Sequence, residues 1–264
     1  MAMTTRQRAR ASKIVQAAIF AGLLIWFLVS ANWALLADTF FDFDKLGPMF
    51  PELITVGLKN TLYYTILSFA FGLTLGLILA LMKIASFAPY RWLATGFIEF
   101  FRGVPALLVL IAFGYGVPIA FPGVLWPQPV VVMVSLGLVS SAYIAETLRA
   151  GLQAVPKGQI EAARSLGMPA WRAMVTIVIP QAFKIVLPPL TNEVIMLTKD
   201  SSLAFILGAT ASQYELTTFG RQGLTSLGAG ITPLVVAGAF YLVITVPLSL
   251  VARKFESRTA KTNR

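Results

Sequence analysis

The chain has 264 residues, 57% of them hydrophobic and only 12% charged, with a mean hydropathy of +0.79. Soluble domains carry about 25% charged residues, so this composition excludes an ordinary water-soluble domain and points to a chain embedded in the lipid bilayer. The net charge of +10 would suggest a nucleic-acid partner in a soluble protein. Here the basic residues lie between apolar runs, as positive-inside loops do, and no nucleic acid is expected. Cysteine and histidine are both absent, which removes disulfides, thiol chemistry, the commonest metal ligand and the usual proton shuttle together. No catalytic residue and no metal site is expected.

Residues 1–13 hold Arg6, Arg8, Arg10 and Lys13 and no acid. Ile14 to Leu36 follows without a charge, about 34 Å of helix and long enough to span. A basic start and Val29-Ser30-Ala31 also fit a secretory leader, but the apolar run exceeds a leader's core, so a retained helix is expected. Asp38 to Pro51, with Asp38, Asp42, Asp44 and a single lysine, reads as an external loop. A second span runs from about Val56 to Met82. Its Gly72, Gly76 and Ala80 recur every four residues, either as a close-packing face or because glycine is simply frequent in membrane helices.

Lys83 and Arg91, with Trp92, mark an internal loop. The third span, near Thr95 to Ile119, opens with Glu99 and Arg102 and is broken by Pro105. The proline-rich loop Pro118 to Pro129 places Trp126 at the interface. A fourth span, Val130 to Leu148, ends at Glu146 and Arg149. The fifth, from about Phe183 to Gly208, is expected to be interrupted at Pro188-Pro189 and carries Glu193, Lys199 and Asp200. Residues 209–230 read as an external loop with a short amphipathic piece, and the last span, Ile231 to Ala252, leads into a basic tail.

Placing both ends inside puts 16 of the 21 Lys and Arg on that side, with Lys45, Lys59, Lys199 and Arg221 at the outer face and Arg102 within the membrane. The positive-inside rule therefore gives an all-α, polytopic bundle of six transmembrane helices with N- and C-termini cytoplasmic. No internal repeat is evident, which argues against the duplicated architecture of many secondary carriers.

Ionisable residues within spans are expensive unless paired or hydrated. Glu193 and Asp200, seven apart, share a helical face. The candidate pathway residues are Arg102, Glu146, Asn192, Glu193, Lys199 and Asp200; mutual ion pairing or snorkelling toward headgroups is the competing reading, favoured for Glu146 with Arg149 and for Lys199.

The long polar interruption, Gly151 to Phe183, is patterned. Pro156 can open a helix at its first position, Gly167 can close it in a left-handed conformation, and Pro169 cannot continue it. Lys157, Glu161 and Arg164 are spaced for pairing along this helix, which at about ten residues is marginal alone and calls for a partner surface. No G-x-x-x-x-G-K-[ST] loop occurs anywhere, so the chain has no nucleotide cradle of that kind.

Glu161-Ala162-Ala163, Gly167 and Ile177-Val178-Ile179-Pro180 resemble the loop of bacterial ABC-importer permeases, with Ile179 where that pattern has leucine. FRGVP at 101–105, SAYIAETLRAGL at 141–152, PQAFKIVLPPLTNEV at 180–194 and LTKDSSL at 197–203 extend the resemblance, to the polar amino acid uptake branch, over about Val56 to Arg253. It implies a 1–55 segment holding the basic tail, an added helix and an external loop. A 56–253 permease domain and a 254–264 tail would follow, in a multi-pass protein of the bacterial cytoplasmic (inner) membrane. It also implies that Lys157, Gly158, Glu161, Ala162, Ala163, Leu166 and Gly167 form a coupling helix docked on an ATPase subunit. The implied partners are a second permease copy or paralogue, two cytoplasmic ABC ATPases, an extracytoplasmic solute-binding protein and an amino acid substrate. No cofactor would be bound by this chain, ATP and magnesium belonging to the ATPases. The alternative is an ion-gradient-driven carrier or channel that uses acids such as Glu193 and Asp200.

Overall fold

The computed structural model describes residues 5–262, all helix and connecting turns. Residues 1–4, 263 and 264 lie outside it, as do the side chains of Arg10, Arg258 and Lys261, which were counted with the inner-face charges. Among the described residues, five helical stretches are long and apolar enough to cross a membrane, or six if one bent pair forms a single span.

The first expected span is two helices. α1 (Thr5–Ser30) ends where Asn32 accepts a hydrogen bond from Leu35 N at 3.1 Å and starts α2 (Trp33–Phe40). An asparagine cap opens a new helix because its side chain satisfies an orphan N–H. None of the apolar window of α1 is buried against the rest of the chain.

The expected external loop at 38–51 is ordered instead. Thr39 O accepts from Ile231 N at 2.8 Å, and Asp42 N donates to Thr232 Oγ1 at 3.0 Å. Gly230, with φ +56°, has its Cα so near this segment that a Cβ would stand 2.5 Å from Thr39 O. Leu46, Met49 and Leu53 are then buried with Leu216, Phe219, Ala229, Val236 and Ala237. The acids that suggested a solvated loop stand at its start, and the apolar residues that follow them form the core.

At the centre, α3 (Lys59–Ile84) packs parallel to α6 (Gln128–Ala154): Ser68 meets Val132 at one end of the seam and Lys83 meets Glu146 at the other. Gly72, Gly76 and Ala80 are buried on this seam. A Cβ on Gly76 would lie 2.9 Å from Ser141 O, and one on Gly137 of α6 would lie 2.5 Å from the Phe71 ring. The four-residue spacing is thus a close-packing face, in which backbones approach because no side chain intervenes.

α4 (Ala88–Gly103) and α5 (Ala106–Ala120) meet at Val104-Pro105 with a bend of 102°. α7 (Lys157–Ser165) follows α6 after two residues. A short helical turn (Ala170–Ala173) and a π-helical turn (Met174–Val178) lead into α8 (Ile179–Asp200). α8 runs unbroken through Pro188 and Pro189, which corrects the expected interruption. Proline φ suits a helix, and neighbouring helices can hold a span that lacks two N–H donors; α8 packs on α3, α6 and α10 (Thr232–Thr262). The amphipathic piece of the 209–230 loop is α9 (Leu216–Ser226), packed on α10.

Candidate functional site: an exposed helix and a membrane-depth cavity

α7 hangs between α6 and α8. Pro156 stands one position before the helix rather than at its first residue. At the far end Gly167 takes φ +82°; its N–H bonds Arg164 O at 3.0 Å, and Met168 N bonds Ala163 O at 3.1 Å. This paired closure is the Schellman arrangement, which needs a left-handed residue at that place.

Ile160 packs against Val155, Val178 and Ala182, and Ala163 is buried, so these two seat the helix. Gln181 at the start of α8 donates to Gln159 of α7. Lys157, Gly158, Glu161, Ala162, Leu166 and Gly167 face outward, with Leu166 88% exposed. Nothing lies within 4 Å of where a Gly158 or Gly167 Cβ would stand. The pairing expected of Lys157, Glu161 and Arg164 is not made: no ion pair among the described residues involves them. Exposed pairs of this kind are worth little in water, and their charges remain available to a partner.

A cavity of about 430 Å³ opens where the α4–α5 bend faces α6 and α8, lined among others by Arg102, Ser140, Tyr143, Glu193, Met196 and Asp200. The bend delivers Arg102 at the last turn of α4, where its guanidinium lies 5.7 Å from the Tyr143 ring centroid. α8 presents Glu193 and Asp200 on one face, about 10 Å apart along the axis at 1.5 Å per residue. Among the described residues none of these three charged groups forms an ion pair.

The other candidates lie elsewhere. Asn192 and Lys199 are exposed and do not line this cavity; each precedes a lining acid by one residue, a turn of about 100° around the helix. Glu146 is held by two cations, Lys83 of α3 and Arg149. Pairing with Arg149 was legible from the spacing; Lys83, 63 residues away in sequence, was not. Tyr143 and Met196 were also missed, since an aromatic or a methionine in an apolar run carries no signal of its own.

A helical membrane domain that encloses a charged cavity and hangs an exposed, capped helix from two of its walls is a transport domain. The chain belongs to the family of binding-protein-dependent transport system inner membrane components, whose model matches residues 72–261. It is 38% identical over 205 residues to the probable glutamine ABC transporter permease protein GlnM of Bacillus subtilis, covering 78% of this chain and 92% of that one. It is 34% identical over 226 residues to the glutamate/aspartate import permease protein GltK of Escherichia coli O157:H7, covering 83% and 99%. The arginine transport system permease protein ArtQ of Bacillus subtilis is 36% identical over 222 residues, covering 84% and 98%. Among solved structures, a crystal structure of an amino acid ABC transporter with histidines matches at 36% identity with a TM-score of 0.71, covering 79% of this chain and 94% of that one. A bacterial ABC transporter for the acidic polysaccharide alginate shares the fold at 15% identity and a TM-score of 0.63, over 95% of this chain and 98% of that one. The gradient-driven carrier is not favoured by any of these relatives.

Proposed function

We propose that this chain is the transmembrane permease subunit of an ATP-driven importer for polar amino acids in a bacterial inner membrane. α7 faces the cytoplasm and docks in a groove of a partner ATPase, while an external solute-binding protein delivers the cargo to a cavity completed by a second permease subunit. ATP and magnesium act on the ATPases alone. The observation that carries this reading is the continuity of α7 with the cavity walls. Val155 just past the end of α6, Val178 just before α8 and Ala182 in its first turn seat the buried face of α7, and the same two helices present Tyr143, Glu193 and Asp200 to the cavity. Closure of the ATPases would move the two helices together and so change which side the cavity opens to, the cargo favouring one state by its differential fit.

The charge balance of the cavity narrows the cargo. Two carboxylates against one guanidinium favour a cationic or zwitterionic amino acid over a dicarboxylic one, because an unpaired charge at membrane depth is costly. In proteoliposomes containing the chain, its cognate ATPase and its binding protein, amino acid should stimulate ATP hydrolysis and accumulate inside. Uptake by the chain alone under a proton or sodium gradient would overturn the reading.

A further inference from the structure

Glu146 lies between the cavity and α7, and the transport path described above makes no use of it. One carboxylate oxygen takes the ammonium of Lys83, on the last turn of α3; the other takes the Arg149 guanidinium at 2.6 Å from Nη2 and 3.1 Å from Nε. Arg149 Nη1 continues the chain to Gln153 Oε1 at 2.7 Å. All three charged side chains are largely buried, at 19–28% exposure. Charge-assisted contacts of this kind are short and about twice as strong as neutral ones.

The position of this cluster gives it a role. On α6, Tyr143 faces the cavity and Glu146 follows one turn on; Val155, which seats α7, stands just past the helix end, nine residues after Glu146, about 13 Å at the helical rise. Farther toward the outer end, α6 is already fixed to α3 by the Gly72, Gly76 and Gly137 contacts. Toward the inner end that glycine seam gives out, and Lys83–Glu146 is the ion pair that joins the two helices there. We propose that Glu146 is a positioning residue: by holding Lys83 and Arg149 it keeps the inner third of α6 on α3, so that displacement of α7 reaches the cavity wall instead of being absorbed by bending of α6. This rests on the reading of α7 as the ATPase-docking helix.

Removing the carboxylate leaves Lys83 and Arg149 facing one another as like charges, which separates the helices rather than merely loosening them. The informative quantity is cargo moved per ATP hydrolysed in the reconstituted complex. Glu146→Gln and Lys83→Met should assemble with the ATPase and hydrolyse ATP, yet move at least about fivefold less cargo per ATP, the lower end of typical coupling between sites. Lys83→Arg should keep the normal ratio.

Because the chain has no cysteine, a Lys83→Cys/Glu146→Cys pair supplies its only thiols. Bridging that pair with a short bis-methanethiosulfonate reagent, which forms a disulfide to each cysteine and releases sulfinate, should restore the ratio, and reductant should abolish it again. An unchanged ratio in Glu146→Gln, or no recovery on bridging, would overturn the proposal. Failure of the unaltered chain to associate with the ATPase would instead overturn the docking reading, and this one with it.

Discussion

Gly72 of α3 and Ser140 of α6 meet with no room for a side chain between them: a Cβ on Gly72 would stand 2.2 Å from Ser140 Oγ. Ser140 also lines the cavity, one helical face serving both the seam and the cavity wall. Gly72→Leu should therefore destabilise the folded chain by about 1–3 kcal/mol, the usual range for overpacking, read as a lowered unfolding temperature in detergent. Gly96 of α4, with nothing within 4 Å of its Cβ position, is the control. Gly96→Ala should be neutral or stabilising by up to about 1 kcal/mol through helix propensity alone.

The outward face of α7 separates folding from docking. Gly158 has open space at its Cβ position, so Gly158→Leu should leave expression and thermal stability unchanged. Co-purification with the ATPase should nonetheless fall at least about tenfold, since a close-approach face would be blocked. Retained association would remove Gly158 from the docking surface.

Gly167 acts through the backbone. At φ +82° a residue with a Cβ is strained by roughly 1–2 kcal/mol, so Gly167→Ala should fray the last turn of α7. Faster amide exchange at Gly167 and Met168, whose N–H groups close that turn, is the expected signature, together with reduced uptake. Unchanged exchange would mean that α7 does not depend on this closure.

The acids of the cavity should divide cargo by charge. Glu193→Gln or Asp200→Asn is expected to lower uptake of arginine or lysine about tenfold, the worth of one charge-assisted contact, and to affect glutamine less. Competition assays with the binding protein saturated measure this directly. Equal losses for cationic and neutral amino acids would assign the acids to structure.

Glu215 gives a dependence on pH. It lies between the spans 170–207 and 232–257, fully buried, and accepts from Thr217 N at 2.6 Å, Thr218 N at 2.7 Å and the Tyr241 hydroxyl at 2.8 Å. Burial raises its pKa despite these donors. A carboxyl raised on folding favours the native state below the ordinary carboxylate range, and that contribution is lost as pH climbs through the native value. The unfolding temperature relative to a Glu215→Gln variant should therefore fall from pH 4 towards neutrality; a constant difference would contradict the assignment.

Much of the architecture was legible in the residues because lipid leaves few options: an uncharged run of span length must be a helix. The left-handed end at Gly167 was equally readable, since it follows from a backbone need that glycine meets best; the seam at Gly72 and Gly76 was one of two readings, and the contacts with α6 decided it. Pro188-Pro189 misled because the local rule for a helix breaker ignores the neighbours that hold α8 on three sides. Asp38 to Pro51 misled because its charges conceal two core residues, at 46 and 49. Of the cavity, Arg102, Glu193 and Asp200 were found through the expense of charge in a span. Tyr143 needed the bend at Val104-Pro105, and Lys83 needed the α3–α6 register, neither of which is written locally.

The π-helical turn at Met174–Val178 sets a rotational phase. Such a turn holds one more residue than the α-helical path it replaces, and one residue is about 100° of azimuth. Deleting a single position there would leave α8 and its cavity acids where they are, yet swing everything before it round by more than a quarter circle, carrying Glu161 and Leu166 away from the direction they now face. Length at this turn, as much as the identity of any side chain, decides which way the chain greets its neighbour.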